Sequence, residues 1–158
     1  CDILYLNDSK QLSEKKREEL YDEIIEKAVA YGIGMADEKL IDQINILNAD
    51  YEAMRIAIHK LAVKPELLLN DAVRIPEVDI PQVSIIKGDA KSASIAAASI
   101  IAKVTRDRLM VAYDEIYPGY GFAKNKGYGS KEHIEALKTF GPCEIHRRSF
   151  ITHFWKEQ

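Results

Sequence analysis

The sequence predicts an α/β fold, and three observations lead there. Stretches with apolar residues at helical spacing alternate along the chain with short apolar runs that end in Gly, Asn or Asp. The runs are too short to be helices and are bounded by turn formers. The length, 158 residues with 47% hydrophobic and 30% charged side chains, suits one globular domain with its own core rather than a disordered chain.

Taken in order, residues 6–12 form a polar loop. Ser13 is placed as an N-cap, with Glu14 in the first turn. Leu20, Tyr21, Ile24, Ile25 and Ala28 then recur at helical spacing, and the helix is expected to end near Tyr31 and Gly32. Residues 32–36 look like a short strand. A second helical stretch covers about 37–62, with Asn45 and Asn48 placed to break it in two. Pro65 stops it. Residues 67–69 read as a buried strand running into Asn70 and Asp71. A loop bracketed by Pro76 and Pro81 leads to a second strand at 83–86, which ends in Lys87, Gly88 and Asp89.

A long helix is expected over about 91–116. Its small face (Ala93, Ala96, Ala97, Ala98, Ser99, Ala102) would let the helix backbone lie close to a sheet. Pro118 and Gly119 end it. A Gly/Tyr/Lys loop follows at 119–130, then a helix at about 130–139 closed by Gly141 and Pro142, and a basic tail at 145–150.

Charge excludes a strongly basic protein, since 22 Lys and Arg face 25 Asp and Glu for a net charge of −3. The halves differ. Residues 1–80 hold 10 basic and 17 acidic side chains; residues 81–158 hold 12 and 8, so the second half is the better host for an anion. Two cysteines, Cys1 and Cys143, allow one disulfide at most and suit a reducing cytoplasm. The most apolar run, residues 95–102, is too short to span a bilayer. There is no basic segment of a signal peptide at the start and no opening Met, so the chain reads as a piece of a longer polypeptide.

Four constellations could carry chemistry. Asp71 and Asp89 each follow an apolar strand. If those strands run parallel, both carboxylates reach the carboxyl edge where open α/β sheets bind ligands, and Mg²⁺ or Mn²⁺ would relieve their repulsion. The plain alternative is that both are turn formers. The segment 117–130 interleaves Tyr117, Tyr120, Phe122 and Tyr128 with Lys124 and Lys126, a pattern for stacking on bases or sugars and neutralising phosphates; an ordinary Gly-rich surface loop would look similar. Arg147, Arg148 and Ser149 could clamp a phosphate or merely form a solvated turn anchored by Phe150. Ser9 and Lys10, after Asn7 and Asp8, could do the same or simply shape a turn. His133 and His146 are not at metal-site spacing, which favours a structural or surface role. Arg106 and Asp107 read as an exposed pair.

In order and spacing these segments resemble ribonuclease HII, the type 2 ribonuclease H family. The resemblance rests on Leu6-Asn-Asp-Ser-Lys-Gln-Leu-Ser13, Ile41-Asp-Gln-Ile-Asn-Ile-Leu47, Leu68-Leu-Asn-Asp71, Lys87-Gly-Asp-Ala-Lys-Ser92, Ala96-Ala-Ala-Ser-Ile-Ile-Ala-Lys-Val-Thr-Arg-Asp107, Tyr117-Pro-Gly-Tyr120, Lys126-Gly-Tyr128 and His146-Arg-Arg-Ser-Phe150. It implies an RNase H-like fold in a single catalytic domain over residues 1–158, with a mixed five-stranded sheet flanked by helices and a helical C-terminal portion. It further implies a Mg²⁺- or Mn²⁺-dependent endonuclease that cuts RNA in RNA–DNA hybrids and at ribonucleotides embedded in duplex DNA, leaving 3′-hydroxyl and 5′-phosphate ends. Such an enzyme would work as a monomer in the cytoplasm.

The resemblance also assigns residues. Asp71 and Asp89 match the third and fourth of the family's four metal-binding carboxylates. Lys126 and Tyr128 match the segment whose tyrosine packs on the sugar beside the RNA–DNA junction. Ser9, Lys10, Arg147, Arg148 and Ser149 match segments near substrate phosphates. One departure is large. The family's first two acids are a consecutive Asp-Glu followed by Gly-Arg-Gly, whereas the Asp-Glu pairs here, at 22–23, 37–38 and 114–115, fall in expected helices and lead into no such tripeptide. The opening strands are therefore expected to be missing from this chain. A smaller departure is Asn70, where an aliphatic residue would be expected. A non-catalytic module that binds RNA–DNA hybrids is the alternative reading, and a different RNase H-like nuclease is a third.

Overall fold

The computed structural model describes Ile3, Leu6 and residues 9–155; Cys1, Asn7 and Asp8 lie outside them. The elements run as a 3-10 turn at Ser9–Gln11, α1 (Glu14–Lys27), α2 (Glu38–His59), β1 (Leu68–Asp71), β2 (Gln82–Ile85), α3 (Gly88–Lys91), α4 (Ala93–Ile116), α5 (Phe122–Asn125), α6 (Lys131–Phe140) and α7 (Arg148–Ile151). The chain divides into two compact units, residues 1–35 with 51–104 and residues 36–50 with 105–158.

Local chemistry sets most boundaries. The Ser13 hydroxyl accepts from the Lys16 amide at 3.2 Å, so α1 starts where the cap was expected. It ends earlier than expected, because Ala28 has already turned extended. Within α2, Asn45 leaves helical space with φ 68° and ψ 166°. Its Oδ1 accepts from the Asn48 amide at 3.1 Å, which makes Asn45 the N-cap of the second part. The expected break is there, and this cap is its mechanism.

In the first unit, Leu20 and Ile24 of α1 bury against Ile100, Ile101 and Val104 of α4. The small face of α4 does something other than expected. Ala96 is buried, but Ala93, Ala98 and Ala102 are exposed. The larger isoleucines and Val104 make the contact, because an aliphatic side chain buries more apolar area than a methyl group. The Arg17 guanidinium donates to the carbonyls of Ser9 and Leu12 and so ties down the 3-10 turn.

Residues 32–36 form no strand: the segment from 28 to 37 has no helix and no ladder partner among the described residues. It lies instead along α2. A Cβ on Gly32 would drive into the carbonyl oxygen of Ala57, and one on Gly34 into that of Ala53. The spacings agree, since two extended residues advance about 6.6 Å and four helical residues about 6 Å. Two glycines two apart therefore meet two carbonyls one turn apart. Gly34→Ala is expected to lower stability by about 2–3 kcal/mol, or roughly 5–10 °C in Tm, as an overpacking change against rigid backbone. Thermal melting by circular dichroism checks it.

β1 and β2 pair in parallel, with Leu69 opposite Val83 and Asp71 opposite Ile85. Among the described residues the sheet has these two strands alone, against the five that the resemblance implies. The strands are also less buried than expected. Leu69 is 37% and Val83 45% exposed, while Leu68 and Asn70 are half-buried. An apolar run becomes a fully buried strand only when both faces are covered, and the run itself does not encode its cover. Asn70 braces the strand pair, since its amide donates to Gln82 Oε1 at 2.9 Å. Gln82 in turn bonds both the amide and the carbonyl of buried Ile75 at 2.8 Å, which fixes the connection between the strands.

The second unit has an aromatic core of Met110, Tyr120, Phe122 and Ala136, flanked by Tyr113, Tyr117, Cys143 and Ile145. The Ser130 hydroxyl accepts from the His133 amide at 3.2 Å and caps α6.

Candidate functional site

The parallel pairing delivers Asp71 to the carboxyl end of β1. The backbone then turns sharply, with Ala72 in the left-handed region at φ 57°. That conformation disfavours a residue with a Cβ by about 1–2 kcal/mol. Beyond β2, Lys87 is also left-handed, at φ 55°, and starts the single turn of α3 that carries Asp89. The Asp71 Oδ1 accepts from the Gly88 amide at 2.8 Å. Gly88 is buried, and a Cβ there would sit 2.5 Å from Ile95 Cδ1 and 3.4 Å from Asp71 Oδ1. Asp71 is exposed and Asp89, the residue after Gly88, is half-buried. The strand pair thus places Asp71 against the backbone of Gly88, the residue before Asp89.

Two carboxylates suit Mg²⁺ or Mn²⁺, which commonly take one or two protein oxygens and complete their shell with water and phosphate. Among the described residues, no group of three or more His, Cys, Asp or Glu could hold a metal. In the same unit Ser9 is buried, at 6% exposure, and Lys10 is exposed.

The second unit gathers the basic and aromatic candidates. Of the four aromatics in the 117–130 segment, Tyr120 and Phe122 are core residues at 7% and 1% exposure and are not open to a base or sugar. They stack on each other with ring centroids 5.3 Å apart. Tyr128, at 64%, is the one presented outward. The segment contains the helical turn α5, which the Gly-rich composition concealed. Lys126 and Gly127 follow in left-handed conformations at φ 52° and 82°. A Cβ on Gly127 would lie 2.9 Å from Met110 Cε and 3.4 Å from the Arg106 guanidinium.

Arg106 is therefore beside the Lys126-Gly127-Tyr128 turn, a placement that sequence reasoning missed. Asp107, its expected exposed partner, is buried at 6%. Three-residue steps from Val104 through 107 to Met110 would have put 107 on the inner face.

The tail is more structured than a solvated turn. Arg147 is half-buried, and its guanidinium stacks 3.7 Å above the Phe150 ring. Burial and the nearby Arg106 lower its pKa, while Asp42 and Asp50 work against that. Asp42 accepts from the Arg148 amide at 2.7 Å, from the Ser149 amide at 3.0 Å and from the Ser149 hydroxyl. Burial alone would raise the Asp42 carboxyl; these bonds and Arg147 outweigh it and hold the pKa below the usual value. Ser149 is thus engaged as a fold contact, and Asp42 caps α7 across more than 100 residues of sequence.

His133 and His146 are both buried, with their Nε2 atoms 3.1 Å apart.

Comparisons with known proteins bear on the family and the fold. The ribonuclease HII family profile matches residues 3–153. The ribonuclease HII of Lachnoclostridium phytofermentans is 74% identical over 96% of this chain, and that of Enterococcus faecalis 61% identical over 95%. These matches cover 59% and 58% of the two relatives, so the chain spans about three fifths of the length of the curated relatives it matches. The crystal structure of ribonuclease H2 from Pyrococcus horikoshii superposes with a TM-score of 0.75 at 28% identity, over 92% of this chain and 76% of that one. The chain is thus an α/β protein with an RNase H-like fold. It belongs to the ribonuclease HII family.

No described helix is long and apolar enough to cross a membrane.

Proposed function

We propose that this chain serves metal-dependent endonucleolytic cleavage of RNA in RNA–DNA hybrids and at ribonucleotides embedded in duplex DNA, leaving 3′-hydroxyl and 5′-phosphate ends. The observation that carries the reading is the parallel strand pair that sets Asp71 against Gly88, the residue before Asp89. Family membership supports it. Asp71 and Asp89 would hold Mg²⁺ or Mn²⁺. Such an ion, when bound, polarises a phosphate oxygen and lowers the pKa of a bound water.

The chain's own residues do the rest. The Gly88 amide fixes the Asp71 carboxylate in one orientation. Tyr128 offers its ring to the sugar at the ribonucleotide, where the 2′-hydroxyl distinguishes RNA from DNA. Lys10, Lys126, Arg147 and Arg148 neutralise and orient backbone phosphates, while buried Ser9 shapes the turn that carries Lys10. Ser149 enters this reading through its place on α7 more than through a free hydroxyl. On this reading residues 1–158 belong to one catalytic domain, and the protein works as a monomer in the cytoplasm with Cys143, which is in no disulfide, as a thiol.

The test is cleavage of a labelled DNA duplex carrying one ribonucleotide, in Mg²⁺, Mn²⁺ or EDTA. It compares this chain with a version extended at its N-terminus by the family's Asp-Glu and Gly-Arg-Gly strands. Metal-dependent cutting by the extended form supports the reading; no cutting of any hybrid by either form overturns it. A second reading is a non-catalytic module that binds hybrids. It is favoured by the pair of carboxylates standing without a third ligand among the described residues. Hybrid binding that survives EDTA, with no cleavage in any metal, would establish that reading instead.

Tyr128→Ala is expected to weaken binding of the single-ribonucleotide duplex about tenfold, from the loss of one stacking contact. Binding of an all-DNA duplex should change far less. Fluorescence anisotropy with the two duplexes checks it; equal losses on both would mean that the ring only shapes the turn.

A further inference from the structure

The two buried histidines occupy a definite place between the turn and the tail. The Cys143 amide donates to His146 Nδ1 at 3.0 Å, so that nitrogen carries a lone pair. The proton of a neutral His146 is then on Nε2, which faces His133 Nε2 at 3.1 Å. Two N–H groups or two lone pairs would repel there, so His133 accepts and carries its own proton on Nδ1. That nitrogen lies 2.8 Å from the Tyr128 carbonyl and donates to it. Each link forces the next, and the whole chain uses one tautomer of each ring.

The ends of this chain are the two segments read as nucleic-acid contacts. His146 directly precedes Arg147, and the bond from His133 lands on the backbone of Tyr128. The turn is held from its other side as well. The Tyr128 amide donates to the Asn125 carbonyl at 2.9 Å, and the Asn125 side-chain amide donates to the Tyr120 carbonyl at 2.7 Å. The rings around the histidines are Tyr120 and Phe122, with centroids 5.1–6.4 Å away. The ionisable groups facing the pair are Tyr120, the Cys143 thiol, whose Sγ is 3.1 Å from His146 Nδ1, and Arg148. Burial pushes the Cys143 thiol up, which keeps it neutral beside an accepting nitrogen.

We infer that His133 and His146 are positioning residues that set the Tyr128 turn in register with the arginine tail, through single protons running from the Cys143 amide to the Tyr128 carbonyl. The inference rests on the reading of Tyr128 and the tail as contacts for a ribonucleotide-bearing duplex. Neither histidine touches substrate in this arrangement. A second proton on either ring would set two donors against each other and break the chain. Sensing of the ribose should therefore weaken in acid while the tail's charge persists.

The experiment has a part that needs no nucleic acid. Long-range ¹H–¹⁵N NMR of the histidine rings at pH 7 should find His146 protonated on Nε2 and His133 on Nδ1; the reverse tautomers would overturn the inference. His133→Phe fills the space without the bonds. It should reduce the preference for a single-ribonucleotide duplex over an all-DNA duplex about tenfold, and no further when Tyr128→Ala is already present. His133→Asn, which can still donate to the Tyr128 carbonyl, should restore most of the preference. If His133→Phe keeps the preference while Tyr128→Ala loses it, the positioning role is wrong and the functional reading stands. If Tyr128→Ala itself keeps the preference, the functional reading is what fails, and this inference with it. Should His133→Phe not fold, the tautomers of the unaltered protein still decide.

Discussion

Asp71→Asn, placed in a form that carries the family's opening strands, should cut a single-ribonucleotide duplex at least about 100-fold more slowly while melting at nearly the same temperature. Even groups outside the first coordination sphere of a metal change activity by 10–100-fold, and the proposed function makes Asp71 a direct ligand. The substitution removes a negative charge but leaves an oxygen that can accept from the Gly88 amide, now at 2.8 Å from the carboxylate. Asp71→Ala lacks that acceptor. Gly88 is buried, so its orphaned amide should cost about 1–3 kcal/mol of stability in addition to the lost activity. Rate and melting temperature, measured on both variants, separate the metal-binding role from the structural one. Activity near normal in Asp71→Asn would remove Asp71 from the metal site.

The parts of this molecule that were legible in the sequence are those whose cause is local. Ser13 caps α1 because a hydroxyl three residues before an amide is enough. Asn45 breaks α2 because its own side chain caps the next turn. The two strands were findable from their runs and flanks, and they pair in parallel with Asp71 at the carboxyl end of β1.

What was not legible depends on distant partners. Residues 32–36 look like a strand, yet the glycines answer to carbonyls on α2. Tyr120 and Phe122 alternate with glycine and lysine just as Tyr128 does. Only the surrounding Met110 and Ala136 make two of them core and leave the third outside. Ser149 carried a phosphate-binding pattern, but Asp42, far away in sequence, takes its hydroxyl and amide. The histidine pair could not be read from spacing at all. Its signal is the directionality of three hydrogen bonds, which exists only in three dimensions.

Acid should destabilise the protein between pH 6.5 and about 4 through His146. Burial, and then the neighbouring His133, depress its pKa from 6.5 to about 4 in the folded state. The unfolded chain takes up a proton near pH 6.5 that the folded chain refuses until about pH 4. Across that window the unfolded state binds more protons, so unfolding free energy falls as pH falls; above it the stabilisation is complete, and below it the loss is complete. A full shift of this size corresponds to a little over 3 kcal/mol, and residual solvent access reduces it to about 2–3 kcal/mol. Asp42, held low by Ser149 and Arg148, acts in a different range, since its contribution is lost only below its ordinary value of 3.8. Asp50, raised by burial against the pull of Arg147, works in the opposite sense just above 3.8. The informative quantity is therefore a difference. Urea unfolding at half-unit steps from pH 7.5 to 4, on the protein and on His146→Phe, should show the variant less dependent on pH by up to one proton across the window. Parallel pH profiles would mean that the buried ring titrates as it does in the unfolded chain, and the bonds that fix its tautomer would then contribute nothing to its proton affinity.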